Sequence, residues 1–247
     1  MMEMSRNTAE GPADRRAEWF VPKFGPAKFR SFMGLLFLPY TGMVLSFSVI
    51  GAMLADPLYW DRVVAIVVIY FLGLGIAAHA LDALGSRSMK PWGTIFTRGQ
   101  LWLLAVLSLS LAYLLAIYYM IRYVPWLWVL AVSEGFFVFA YNLELFKGRF
   151  HTDNWFAFSW GFLPVLAGYI MQTNKMSIEA LILAISMALF SLVEIKASRP
   201  YKDFKQRPDV LKEEEKSLMV RYEAILKSIS LGVILLGAGL LIWRIAR

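Results

Sequence analysis

Carboxylates near the ends of two apolar segments are the residues of this sequence best suited to chemistry. Asp82 ends one apolar segment and Glu194 ends another, and a loop rich in Lys and Arg follows each of them. Oxygen ligands bind Mg²⁺, while Lys and Arg neutralise phosphate. The pattern therefore fits a divalent cation that holds a phosphorylated ligand. In the alternative interpretation both carboxylates only mark helix ends and pair with Arg87, Lys196 or Arg199.

Helical spacing places further polar side chains beside these two carboxylates. Residues three and four apart share one face of a helix. The first face contains Gly75, Ala78, His79, Asp82 and Ser86. The second face contains Met187, Ser191, Glu194 and Ser198. We expect the two carboxylates to lie at the same depth, in a chamber with acidic walls and a basic rim.

Glu134 is a separate anomaly, because it lies near the centre of an apolar segment. An ionisable group at membrane depth is costly, so it must be neutral, paired or facing a wet cavity. Val138 and Tyr141 continue its helix face, which would let Glu134 line the deeper part of the same chamber. The alternative is an interhelical hydrogen bond from a protonated carboxyl to a hydroxyl such as Ser108, Ser110 or Tyr113.

The segments that must position these residues are those of a membrane protein. Hydrophobic residues make up 59% of the chain and charged residues 17%, against about 45–50% and about 25% in soluble domains. A spanning helix needs about 20 apolar residues. Seven segments approach that length: 32–55, 63–84, 101–121, 125–143, 155–172, 177–195 and 224–243. We predict an all-α integral membrane bundle of about seven transmembrane helices over 31–247, preceded by a basic, partly interfacial segment over 1–30.

The distribution of Lys and Arg predicts the orientation of this bundle. Twenty of the 25 basic residues fall in the amino-terminal segment and alternate loops, and five fall on the other side. The positive-inside rule then places the amino terminus in the cytoplasm and the carboxyl terminus on the opposite side. The net charge of +7 is attributed to this topology and to attraction for anionic membrane lipids. Outside the membrane loops no basic run is interleaved with exposed aromatics, so we expect no nucleic-acid partner.

Several kinds of site are excluded by composition. The chain has no cysteine, which removes disulfides, thiolate catalysis and sulfur ligation of zinc or iron–sulfur clusters. Its two histidines, His79 and His151, are predicted on different loops at the cytoplasmic edge, and a pair of stacked haems would need four.

Four motifs in order along the chain resemble the UbiA superfamily of intramembrane prenyltransferases. Lys90, Pro91 and Thr94 follow Asp82, as a basic residue, Pro and Ser or Thr follow the first aspartate-rich motif of that family. Tyr141 leads into a Leu-to-Lys loop at 145–147, and GFLPVLAGY occupies 161–169. A string similar to the one after the second acidic motif occupies 216–220. The resemblance covers roughly residues 30 to 225.

The resemblance implies a bundle around a cavity that opens laterally to lipid. A polyprenyl diphosphate would bind with its head on Mg²⁺, ionise to an allylic cation, and alkylate a lipophilic acceptor. Asp82 matches a metal-binding aspartate, and Lys147 and Arg149 match the diphosphate-binding loop. The second motif starts at Glu194 or, in another register, contains Asp203 and Asp209. The remaining candidate substrate-binding residues are His79, Lys90, Glu134, Tyr141, Arg199 and Lys202.

This sequence also departs from the family, and the departures leave two functions open. The first motif retains one carboxylate, since its positions read Ala78, His79, Asp82 and Ser86. The family usually has nine helices, whereas seven are predicted here. The chain is therefore either a Mg²⁺-dependent prenyltransferase or a non-catalytic relative that binds a quinone, a carotenoid, another isoprenoid lipid or a partner membrane protein. A transporter is the least supported, because the sequence has no repeated half.

Overall fold

The computed structural model describes residues 16, 18–85, 95–207 and 210–247. Every regular element within these residues is helical, so the all-α prediction is confirmed for them. The helices are α1 (Ala27–Leu35), α2 (Leu38–Met53), α3 (Trp60–Gly85), α4 (Arg98–Arg122), α5 (Leu127–Asn142), α6 (153–173), α7 (Ile178–Lys205) and α8 (Glu213–Ile245). A short 3₁₀ turn, Phe146–Gly148, lies between α5 and α6.

Helix length and composition indicate a membrane protein. Four helices, α3, α4, α7 and α8, are long and apolar enough to cross a membrane, and the pair α1 and α2, bent by 44°, would make a fifth. Many large apolar side chains face outwards on these helices, such as Leu103, Leu114, Ile182 and Leu235, each at least 60% exposed. An apolar surface of this extent suits lipid and not water.

The last two helices are longer than predicted. All but the first residue of the predicted segment 177–195 lies within α7 (Ile178–Lys205), and 224–243 lies within α8 (Glu213–Ile245). Much of the basic stretch predicted as a loop is therefore helical, and α7 continues through Pro200. The prediction failed here because a helix can continue beyond the apolar layer. Glu213, Glu214 and Glu215 lie in the first turn of α8. Their negative charges there are stabilised by the positive end of the helix dipole.

The centre of the bundle is the crossing of α2 and α6. A side chain at Gly51 of α2 would clash with the carbonyl oxygen of Val165 in α6. One at Gly168 of α6 would clash with the carbonyl oxygen of Ser48 in α2. Both glycines are thus needed for the close backbone approach that small residues allow between membrane helices.

Two π-helical stretches interrupt the regular helices close to the candidate site. One covers Phe71–Ala78 in α3 and ends immediately before His79. The other covers Phe158–Phe162 in α6 and includes Trp160. A π-helical turn contains an extra residue, so it rotates the residues that follow it, and such turns are frequent at functional sites. The stretch in α3 therefore sets the direction of His79 and Asp82.

Candidate functional site: a polar cavity at one end of the bundle

Six of the predicted site residues line one cavity of about 380 Å³ at the end of the bundle where α3 and α7 terminate. They are His79, Asp82, Tyr141, Arg199, Lys202 and Asp203. We call this space the polar cavity. Its wall also contains Glu144, His151 and four aromatic residues, Phe37, Tyr40, Phe156 and Trp160. The polar cavity thus joins segments that are more than 100 residues apart in the sequence.

The aromatic side of the polar cavity begins at the break between α1 and α2. Phe37 occupies this break with φ of 45°, a left-handed conformation that is uncommon for a bulky residue. Its ring centroid lies 4.3 Å from that of Tyr40. Across the cavity wall, Phe156 and Trp160 of α6 stack with centroids 5.4 Å apart. The ammonium nitrogen of Lys202 lies 5.0 Å from the centre of the Phe37 ring, a cation–π contact.

His79 is held between these aromatic groups. It lies in α3, within the predicted segment 63–84, and its ring centroid is 5.2 Å from that of Trp160. Its Nε2 atom lies 3.4 Å from the Thr41 hydroxyl oxygen. That hydroxyl donates its proton to the carbonyl oxygen of Leu36 at 2.5 Å. The contact with His79 therefore requires the proton on Nε2, which leaves Nδ1 as the acceptor in a neutral ring.

Arg199 is fixed by the residues that begin α6. Its Nε atom lies 2.9 Å from the Asp153 carboxylate, and it also donates to the His151 carbonyl oxygen at 3.4 Å. Lys196 lies 3.8 Å from the same carboxylate. The proposed pairing of Lys196 or Arg199 with Asp82 or Glu194 is therefore replaced by pairing with Asp153.

His151 connects Arg199 to Tyr141. The His151 ring stacks on that of Tyr141 with centroids 4.5 Å apart, and its Nδ1 lies 3.0 Å from the Tyr141 carbonyl oxygen. Both rings line the polar cavity. Arg199, His151 and Tyr141 therefore form one connected wall.

Asp82 and Asp203 bring carboxylates from α3 and α7 to the same cavity, Asp82 half-buried and Asp203 exposed. The described residues contain no group of three or more His, Asp or Glu that could hold a metal ion without other ligands. Mg²⁺ commonly binds through one or two carboxylates, several waters and the phosphates of a substrate. Two carboxylates beside Arg199 and Lys202 are compatible with that second mode of binding.

Glu194 does not line the polar cavity, although the neighbouring Ile195 does. Its side chain is 2% exposed, and its Oε1 atom has no hydrogen-bond partner among the described residues. The face predicted from spacing is buried as a unit, since Met187, Ser191 and Ser198 are also buried. This face packs between helices.

The remaining predicted site residues lie elsewhere. Lys147, with φ of 60°, and Arg149 are exposed on the loop between α5 and α6 and do not line the polar cavity. Lys90 and Asp209 lie outside the described residues, as do Arg87 and residues 1–15.

Glu134 lines a different and smaller pocket of about 70 Å³, which shares no lining residue with the polar cavity. Its Oε1 atom accepts a hydrogen bond from the Tyr70 hydroxyl of α3 at 2.8 Å. The partners proposed from the sequence were wrong: Ser108 donates to Leu104, Tyr113 donates to Ala131, and Ser110 is exposed. The idea that Glu134 and Tyr141 line one chamber is corrected too, because only Tyr141 lines the polar cavity.

The segment before α1 packs against the cavity wall. The Phe20 ring centroid lies 4.8 Å from that of Phe37. The Tyr201 hydroxyl donates to the Glu18 carboxylate at 2.8 Å, and Lys205 lies 3.7 Å from it. Val21 is buried, whereas Phe24 is 74% exposed. Glu18 and Phe20 therefore attach this segment to α7 and to the break before α2, beside the polar cavity.

Sequence reasoning missed the aromatic wall and the group formed by His151 and Asp153. The aromatic residues gave no signal, because in an apolar segment they look like any other lipid-facing or core side chain. The polar run 151–154 did carry one, since Thr152 caps α6 by accepting from the Trp155 amide.

Comparison with known proteins finds no family model that matches the chain, and no curated protein or solved structure that is similar to it.

Proposed function

We propose that the chain is a membrane prenyltransferase that binds the diphosphate of a polyprenyl diphosphate in the polar cavity and transfers the prenyl group to a lipophilic acceptor. One observation carries the proposal. Carboxylates, cations and aromatic rings from both predicted motif regions, including Asp82, Asp203, Arg199 and Lys202, line a single cavity at the end of an apolar bundle.

The charged residues would bind the diphosphate. Lys202 and Arg199 would donate charge-assisted hydrogen bonds to its oxygens, although Arg199 shares its charge with Asp153. Asp82 and Asp203 would hold Mg²⁺, which when bound offsets the negative charge of the leaving diphosphate. The exposed loop cations Lys147 and Arg149 would attract the anionic headgroup towards the polar cavity.

The aromatic wall would receive the reacting end of the prenyl chain. Phe37, Tyr40, Phe156 and Trp160 keep water away from a cationic carbon, and their ring faces attract positive charge. The rest of the chain would extend into the apolar bundle. We also propose that all seven helical segments span the membrane, with the amino terminus and the polar cavity at the cytoplasmic side.

A second function is favoured by two details of the same site. Arg199 already forms an ion pair with Asp153, and the described residues lack a cluster of three metal ligands. A non-catalytic protein that binds a quinone, a carotenoid or another isoprenoid lipid, or a partner membrane protein, would need no Mg²⁺.

The two functions are separated by assaying the purified protein with geranylgeranyl diphosphate in nanodiscs made from membrane lipid extract, which supplies the lipophilic acceptor that takes up the prenyl group and loses a proton. We expect Mg²⁺-dependent release of diphosphate, and loss of that release in Asp82→Asn and Asp203→Asn. Asp61→Asn is the matched control, because Asp61 lies at the opposite end of α3 and accepts from Tyr119. Binding that is independent of Mg²⁺ and unchanged in Asp82→Asn would eliminate the catalytic proposal and support the lipid-binding protein.

A further inference from the structure

The pocket around Glu134, here the Glu134 pocket, lies between α3, α4 and α5, away from the polar cavity. Its volume is about 70 Å³. Apart from Glu134 and the tyrosines Tyr70 and Tyr113, its lining side chains are apolar, and Gly73 and Gly135 also contribute. It is therefore an apolar recess with one carboxyl group.

The hydrogen bonds around Glu134 leave one oxygen atom unused. The Tyr70 hydroxyl donates to Oε1, and the Tyr113 hydroxyl donates to the carbonyl oxygen of Ala131. The Oε2 atom is buried and has no partner among the residues that the structure describes. Burying an unpaired polar group in an apolar environment costs free energy, and Glu134 lines the recess, so a ligand bound there would supply the missing partner once the carboxyl group turns towards it.

The chemistry of the ligand follows from the position of the proton. A carboxyl group at membrane depth is expected to be neutral. Because Oε1 accepts the Tyr70 hydrogen, the carboxyl proton is on Oε2, where it is a donor without an acceptor. A matching ligand therefore supplies an acceptor oxygen, such as a carbonyl.

Size and access restrict the ligand further. A water molecule takes up about 30 Å³ in the liquid, so the recess holds a head of only a few heavy atoms. It is too small for a phosphate-bearing headgroup, and no cation lines it. The neighbouring surface is apolar, with Leu114 of α4 and Val132 of α5 each more than 65% exposed. An apolar tail would therefore lie against the bundle, in the bilayer.

We propose that the Glu134 pocket is a lateral binding site for a single-chain lipid that carries a ketone, aldehyde or ester carbonyl. The Oε2 proton of Glu134 donates to the carbonyl oxygen, Tyr70 orients the carboxyl group, and the chain of the lipid lies against the exposed apolar surface of α4 and α5. The site is independent of the function proposed for the polar cavity, since the two share no lining residue.

The test uses the full chain in nanodiscs, with 2-tridecanone as the probe and tridecane as the control ligand. Infrared spectroscopy identifies the protonated Glu134 carboxyl as the band that disappears in Glu134→Gln. The ketone should shift this band in the wild-type protein, and the alkane should not. A band that the ketone leaves unchanged would overturn the proposal and leave water as the partner of Oε2.

Equilibrium binding of the labelled ketone provides a second readout. Glu134→Leu should weaken binding about tenfold, the effect of losing one hydrogen bond. Glu134→Gln should retain it, because the amide can accept from Tyr70 and donate to the ketone. Glu179→Leu, an exposed glutamate in the first turn of α7, is the matched control. Equal binding by wild type and Glu134→Leu refutes the proposal, and if Glu134→Leu does not fold, the wild-type infrared band decides.

Discussion

The polar cavity and the Glu134 pocket place carboxyl groups in opposite surroundings within one bundle. In the polar cavity Asp82 and Asp203 share about 380 Å³ with Arg199 and Lys202, close to helix ends. In the Glu134 pocket one carboxyl and a tyrosine hydroxyl lie in an apolar recess of about 70 Å³. Between these two sites, the charged groups lie together close to helix ends, where desolvation is partial, whereas the carboxyl group in the apolar recess accepts a hydrogen bond from a hydroxyl and has no cation beside it.

One helix supplies both sites. Tyr70 of α3 immediately precedes the π-helical stretch Phe71–Ala78, and His79 immediately follows it. The extra residue in the π-helical turn rotates the second half of α3 relative to the first. Tyr70 can therefore face α5 while His79 and Asp82 face α6 and α7.

The largest expected effect is a complete difference in thiol labelling between the two ends of the bundle, depending on the side of the membrane to which the reagent is added. The chain has no cysteine, so Lys147→Cys and Lys175→Cys each provide a single reactive thiol. An impermeant maleimide should label Lys147→Cys only from the cytoplasmic side and Lys175→Cys only from the other side. Labelling of both from one side would remove the proposed topology and with it the cytoplasmic position of the polar cavity.

The next largest effect is expected at Asp82. If the proposed prenyltransferase function holds, Asp82→Asn should abolish diphosphate release, because an amide keeps the shape but loses the charge that would bind Mg²⁺. Glu134→Gln should leave that activity close to wild type, since Glu134 does not line the polar cavity. Initial rates with geranylgeranyl diphosphate provide the measurement. A comparable loss in both variants would mean that the two regions are coupled.

Lys202→Ala should weaken the binding of the diphosphate by about 1.5–3 kcal/mol, the contribution of a charge-assisted hydrogen bond. Lys147→Ala should weaken it less, because Lys147 is exposed and outside the cavity. The comparison is made by titrating geranylgeranyl diphosphate at two salt concentrations. Only the Lys147 contribution should be largely lost at high salt, since exposed charges are screened most. The reverse ranking would move the diphosphate site to the loop.

The smallest effect concerns stability at Glu134. Glu134→Leu should destabilise the protein by about 1–3 kcal/mol because it leaves the buried Tyr70 hydroxyl without an acceptor. Glu134→Gln should cost less, since its amide oxygen can still accept. Thermal unfolding in detergent measures both, with Tyr70→Phe added to each variant to complete a double-mutant cycle. Identical stabilities would show that the hydrogen bond contributes nothing.

Much of the helical architecture could be predicted because a helix that spans a membrane needs about 20 apolar residues, and segments of that length are visible in the sequence. Helical spacing alone also places Ser191, Glu194 and Ser198 on one face of α7, although this face was expected to line a chamber and is buried outside the polar cavity. Spacing identifies a face but not the neighbouring helix. For this reason the sequence could not show that Tyr70 is the partner of Glu134, or that Asp153 is the partner of Arg199.

Other parts of the site depend on local geometry that residue types do not signal. The left-handed conformation of Phe37 turns the chain between α1 and α2. The π-helical turns change the spacing that an α-helix would give. Helix ends were missed where polar residues simply continue the helix, as they do in α7 and α8.

The crossing of α2 and α6 lies far from the aromatic side chains that these two helices contribute to the polar cavity. Tyr40 lies eleven residues from Gly51 along α2, roughly 16 Å at 1.5 Å per residue. Trp160 lies eight residues from Gly168 along α6, roughly 12 Å. A small change of angle at the two glycines is therefore amplified at the aromatic rings. The width of the polar cavity therefore depends in part on Gly51 and Gly168, which do not line it. Gly168→Ala would push α2 and α6 apart and so alter the cavity.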